Sequence, residues 1–141
     1  MKHALLIAAL TGALTLPASA SIRIADDTGG QLGAYIQRHQ AMRQSGERVV
    51  IDGPCFSACT MVLGAIPRNR ICVTPRAVLG FHAAYHLDPA GGQVTSRGGT
   101  LLLMSQYPQR VRKWIARRGG LSREMMFLSG RDLASMYAPC E

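Results

Sequence analysis

Ser57, His82 and the pair Gly29-Gly30 are residues whose types and order could together perform acyl transfer. That chemistry needs a hydroxyl held at a sharp turn or helix start, an imidazole to take its proton, and backbone N–H groups to hold the oxyanion. Ser57 follows the β-branched run Glu47 to Asp52 and the turn Gly53-Pro54, which predicts a strand end with a helix N-terminus beneath the serine, where the dipole favours negative charge. His82 closes the run Val78-Leu79-Gly80-Phe81-His82 and is expected at another strand end, where α/β folds place their ligand crevice. Gly29-Gly30 close the first predicted strand, and glycine lets bare amides approach a ligand. Singly, each has a plainer reading: an N-cap serine, a hydrogen-bonded histidine and a turn. In order, the steps are 27 residues from Gly30 to Ser57 and 25 from Ser57 to His82.

The elements that must position these groups alternate. Ser21-Ile22-Arg23-Ile24-Ala25 has the period-2 pattern of a strand and runs into Asp26-Asp27-Thr28-Gly29-Gly30. From Gln31 to Ser45, Leu32, Tyr35, Ile36, His39 and Met42 recur at helical spacing, and Gly46 closes the helix. Strands are expected near 21–26, 47–52, 70–74 and 78–82, the last two being either separate or one strand bent at Pro75, and a helix over Ser57 to Ala65. Asp88-Pro89-Ala90-Gly91-Gly92 is a loop, and Thr100 to Ala116 reads as two helical pieces divided at Pro108. Ser122-Arg123-Glu124 reads as an N-cap and first turn. The chain carries no internal sequence repeat and no second domain.

Four cysteines, Cys55, Cys59, Cys72 and Cys140, imply two disulfides with three pairings open. Residues four apart on a helix hold their Cβ atoms about 5 to 6 Å from each other, so a Cys55–Cys59 bridge requires Cys55 to lie before the helix. Cys72–Cys140 would then close a long loop, where a crosslink restrains the unfolded chain most. A four-cysteine zinc site is disfavoured because Cys72 and Cys140 form no second close pair. His82, His86 and Asp88 lack the helix and adjacent glutamate of a metallohydrolase, so no metal or other cofactor is expected. Arg110, Arg112-Lys113 and Arg117-Arg118 read as the wet face of a helix whose buried side is Val111, Trp114 and Ile115.

The chain has 141 residues, 48% hydrophobic and 17% charged, which suits one modest domain and argues against disorder. Met1-Lys2-His3, the apolar run Ala4 to Leu16 and Ala18-Ser19-Ala20 form a signal-peptide pattern over 1–20, with cleavage expected after Ala20. Removal leaves 121 residues, 21–141, and with Lys2 gone the formal charge falls from +8 to +7. The apolar run is too short for a transmembrane segment, so an exported protein, periplasmic or secreted, is expected. Export and the lack of aromatics interleaved with the basic residues argue against nucleic acid; anionic lipid, cell-wall polymer or acidic protein suit the charge better.

With their order and spacing, these segments resemble the Clp protease proteolytic subunit and, more broadly, the Clp/crotonase superfamily. Ile24 to Gly30 is similar to the strand and glycine pair of the family's oxyanion loop, Gly53-Pro54-Cys55-Phe56-Ser57-Ala58 to its nucleophile turn, and Arg70 to His82 to the strand that delivers its base. The resemblance implies a minimal, disulfide-stabilised α/β domain of the ββα type, with Ser57 as nucleophile, His82 as general base, and the amides of Gly30 and Ala58 as oxyanion hole. It departs at the triad acid, because Met125 stands where the family has aspartate, two residues before Phe127. Asp132 is the expected substitute, favoured over Glu124 because Leu133, Ala134 and Met136 suggest a packed helix around it. The implied function is an exported serine hydrolase or peptidase acting on a peptide or small ester or amide, in a family whose members assemble as homo-oligomeric rings. The alternative is a non-catalytic binding or assembly module on the same fold that has lost the triad acid.

Overall fold

The computed structural model describes residues 20–141, so the signal-peptide pattern of 1–20 lies outside the described residues except for Ala20. Its organising feature is a strand that bends and continues in a second sheet, made twice, with a first strand that follows the same course as far as an isolated bridge. Ser21–Ile24 (β1) bends at Ala25-Asp26, and Asp27 then bridges in parallel to Cys55. Arg48–Ile51 (β2) bends at Asp52-Gly53 into Pro54–Phe56 (β3), and Ile71–Val73 (β4) bends over Thr74–Ala77 into Val78–Phe81 (β5). The bends stack on one another. A Cβ at Gly53 would overlap the Ala25 carbonyl oxygen, so only glycine lets the second bend lie on the first. Asp52 N–H donates to Ile24 O at 2.7 Å and Thr74 N–H to Ile51 O at 3.0 Å, so the ladder runs unbroken through the bends. The buried Asp52 carboxylate accepts the Thr74 hydroxyl at 2.7 Å and pairs with Arg23 and Arg76, satisfying a charge that would be costly alone.

Parallel neighbours need crossovers, and helices supply them. Leu32–Ser45 (α1) follows the first unit and ends at Gly46, whose φ of 74° is the left-handed cap expected there. The second unit leads into a 3-10 turn, Ser57–Met61, and the short helix Val62–Ala65 (α2). The first strands form a parallel sheet in the order β1-β2-β4-β9, where β9 is Ala138–Pro139. The second sheet pairs β3 with β5 in parallel and β5 with Met126–Ser129 (β8) in antiparallel. Tyr85–Leu87 (β6) and Gln93–Thr95 (β7) make a hairpin around the Asp88–Gly92 turn. Arg97–Gln106 (α3) and Gln109–Ala116 (α4) are the two pieces predicted on either side of Pro108, and Gly130–Ala134 (α5) is a single late turn of helix. Phe81 lies at the centre of the core, with ring centroids 5.3 Å from Tyr107 and 5.7 Å from Trp114.

The result is a small mixed α/β domain. Two predicted elements take another form, and β3 and the β6–β7 hairpin were not predicted. The helix predicted over Ser57 to Ala65 is split, because Ser57 starts a tight turn rather than a regular helix. The turn at Ser122–Glu124 leads into a strand instead of a helix: Met126–Ser129 pairs with β5, with Leu128 buried and Phe127 exposed in the alternation that a sheet edge imposes. The disulfides are Cys55–Cys59 and Cys72–Cys140, with Cα atoms 5.4 and 4.9 Å apart. Cys55 does lie before the helix, in β3. Among the described residues no helix is long and apolar enough to cross a membrane.

Candidate active site

Ser57 is the first residue after β3, and its φ of 55° makes it the one non-glycine residue in the left-handed region among the described residues. That conformation costs on the order of 1–3 kcal/mol and persists only where surroundings enforce it. Three contacts do so. The Cys55–Cys59 bridge brackets the residue on both sides. The Thr60 hydroxyl donates to Ser57 O at 2.6 Å and, its proton so committed, accepts the buried Tyr107 hydroxyl at 2.7 Å. Burial pushes the Tyr107 phenol up to about 12, against the lowering effect of Thr60, so it stays a donor. From the other side Gly29 presses on the turn: with φ 87°, a Cβ there would sit 2.7 Å from Ser57 Cβ and 2.5 Å from Phe56 O.

The glycine loop is itself fixed. Gly29 N–H donates to Asp27 Oδ1 at 3.0 Å, the Tyr35 hydroxyl donates to the same carboxylate, and Arg38 pairs with it at 2.7 Å. Burial would raise the Asp27 pKa, but the bonds from Tyr35 and Gly29 and the Arg38 guanidinium together hold it below the ordinary carboxylate value. A cleft of about 730 Å³ opens beside this loop, lined by Gly29, Gly30, Ser57 and His82 with Tyr85 and Leu87 of the hairpin. The first N–H groups of a helical turn have no partner inside it, and Ala58 occupies that position beside Ser57. The cleft thus gathers a constrained serine and an imidazole at two neighbouring strand ends with the Gly30 backbone beside them, an arrangement able to bind a carbonyl and attack it.

Among the described residues no hydrogen bond joins the Ser57 hydroxyl to the His82 ring; catalytic bonds of this kind are often long before substrate binds. His82 Nδ1 instead contacts Ala83 O at 2.7 Å. A carbonyl only accepts, so Nδ1 carries the proton and Nε2 keeps the lone pair that a base requires. The two expected acids are elsewhere. Asp132 Oδ2 accepts Trp114 Nε1 at 3.2 Å and Arg118 at 2.9 Å, spending its carboxylate on the α4 side of the molecule. Glu124 is exposed, with its amide on the Ser122 hydroxyl, and neither residue lines the cleft. The position held by Met125 is close to β5: β8 pairs Met126 with Phe81, and one further step of that register sets Met125 across from His82. A Cβ at Gly80 would meet Met125 Sδ at 2.7 Å, so this place is filled by apolar packing.

Sequence reasoning did not single out Tyr85, Leu87, Ser96 or Gly99, which line the cleft. Exposed apolar residues on either side of the Asp88–Gly92 turn signal were the available mark of the hairpin. His86 is in the cleft on β6, while Asp88 caps its own turn by accepting Ala90 N–H at 2.9 Å and Gly92 N–H at 2.7 Å. No protein-family model matches the chain, and no curated protein matches it.

Proposed function

We propose that this protein is an exported serine hydrolase of the Clp/crotonase type, with Ser57 as nucleophile and His82 as general base. The observation that carries this reading is the left-handed Ser57, held at a strand-to-helix turn on a cleft that it shares with His82 and Gly30. Strain at a half-buried hydroxyl on the cleft wall, bracketed by a disulfide and backed by glycine, is what a nucleophile turn requires and what an ordinary N-cap does not. The two strand–bend–strand units, the first strand with its bridge at Asp27, and the crossover helices support the ββα fold implied by the resemblance. Two disulfides are compatible with an oxidising, extracytoplasmic setting.

In this mechanism the substrate carbonyl enters with its oxygen toward the amides of Gly30 and Ala58. Ser57 Oγ attacks the carbonyl carbon while His82 Nε2 takes the hydroxyl proton, giving a tetrahedral oxyanion. Collapse breaks the bond to the leaving group, which takes the proton from His82 and departs. Water then attacks the acyl-enzyme, with His82 again as base, and regenerates Ser57. Among the described residues no lysine, arginine or carboxylate lines the cleft, and Leu32, Tyr85 and Leu87 do, which suits an uncharged acyl group in a peptide, ester or amide.

The second reading, a binding module that has lost catalysis, is favoured by one observation: no carboxylate reaches His82. Turnover of a p-nitrophenyl ester decides between them. Wild type should hydrolyse it with a burst of one equivalent, and Ser57→Ala and His82→Ala should lose the burst while melting like wild type. Wild-type turnover equal to that of Ser57→Ala would leave only the binding module.

A further inference from the structure

If Ser57 is a nucleophile, its base must be held in one tautomer without the usual acid. We propose that the Ala83–Ala84 peptide group takes the place of the third member of a catalytic triad, and that Thr100 is the positioning residue that aims it. This inference rests on the serine hydrolase reading.

The bonds leave Thr100 one arrangement. Its hydroxyl has a single proton, which it donates to Ser96 O at 2.8 Å in the first turn of α3. The oxygen therefore faces Ala84 as an acceptor and takes the Ala84 N–H at 3.1 Å. That N–H belongs to the same planar unit as the Ala83 carbonyl, and in a trans peptide the two point in opposite directions. Fixing one on Thr100 aims the other away from α3, and His82 Nδ1 stands there at 2.7 Å. The flanking groups are pinned as well: Ala83 N–H donates to Ser122 O at 2.6 Å and Ala84 O accepts Ser96 N–H at 2.7 Å. Ala83 and Ala84 are both buried, with Ala84 at the cleft wall.

A triad acid performs two tasks, fixing the tautomer and ring orientation and stabilising the imidazolium that forms. The peptide carbonyl performs the first in full and the second only through its dipole. Thr100 itself does not line the cleft, but its two hydrogen-bond partners, Ala84 and Ser96, do, so the tautomer of His82 is the readout that separates aiming the base from shaping the wall.

The test uses the full chain with ¹⁵N-labelled histidine and reads the neutral tautomer of His82 by NMR, beside the rate at which a fluorophosphonate labels Ser57. Wild type should carry the proton on Nδ1. Thr100→Val should shift it toward Nε2 and slow labelling at least about tenfold, as expected when a general base loses its alignment. Thr100→Ser, which keeps the hydroxyl, should restore both, and E124Q and D132N should match wild type in both. Nε2–H in the wild type, wild-type behaviour in a folded Thr100→Val, or a labelling loss in the exposed variant E124Q would each overturn the clamp. If no form is labelled, the hydrolase reading is lost, and the tautomer still decides whether the Ala83–Ala84 peptide orients His82.

Discussion

At the level of single residues, Gly29 is the most exacting position in the cleft. It combines a positive φ with a backbone pressed against Phe56 O and Ser57 Cβ, so Gly29→Ala meets both left-handed strain and overpacking. The expected cost is about 2–4 kcal/mol of stability, read by urea unfolding, and labelling of Ser57 falls more steeply than the loss of folded protein explains. Gly46→Ala has the same φ penalty and open space around it, so it should lose about 1 kcal/mol and keep the labelling rate. The structure brings Ser57, His82 and Gly29-Gly30, each singled out by residue type and turn chemistry, to one cleft. The partner of His82 was not: a backbone carbonyl has no residue type to read. Asp132 misled for a related reason. Leu133 and Met136 do mark a packed segment around it, but burial of neighbours does not say which way a carboxylate turns, and here it turns to Trp114 and Arg118.

Among elements, the turn from β3 into the 3-10 segment does most to make the site. β3 was missed because three residues, Pro54–Phe56, are too few to show alternation, and they become a strand only by pairing with Val78, Leu79 and Gly80. β8 was misread because Ser122 has the look of an N-cap, while its conformation is decided by the open edge of β5. The Cys55–Cys59 bridge spans four residues, so loop closure alone gives it only about 2 kcal/mol; holding Ser57 left-handed is its larger role. The double variant Cys55→Ala/Cys59→Ala should therefore unfold at modestly lower urea and lose most of its ester turnover. Cys72→Ala/Cys140→Ala, which opens a 68-residue separation, should lose about 4 kcal/mol and retain turnover while folded.

For the whole molecule, the alternation of strand and helix and the division at Pro108 were readable, whereas the bends that carry each strand from one sheet to the other depend on contacts between distant segments, such as Gly53 on Ala25. Stability should also depend on pH through His39 on α1. Both its ring nitrogens are buried without a hydrogen-bond partner among the described residues, its ring packs edge-on to Tyr35 at 5.6 Å, and burial, with Arg38, lowers its pKa to about 4 against a smaller raising effect of Asp27. An unfolded histidine takes up its proton near 6.5, so between about 6.5 and 4 the unfolded chain holds a proton that the folded one does not. Stability is thus full above that window and falls by up to about 3 kcal/mol as pH drops through it. Melting temperatures at pH 7.5 and 4.5 should show the drop, and His39→Leu should abolish this part of it. Asp27, with its lowered pKa, adds a further loss only below the ordinary carboxylate range.

A serine hydrolase here requires the Ser57 hydroxyl to act as a nucleophile. Treating the folded, oxidised protein with a fluorophosphonate and locating the adduct by intact mass and peptide mapping tests this most directly. One phosphonyl group on the peptide that contains Ser57, and none on Ser57→Ala, is the predicted result. A wild type left unmodified under conditions that fully label a known serine hydrolase, or an adduct mapped to another residue, would contradict it.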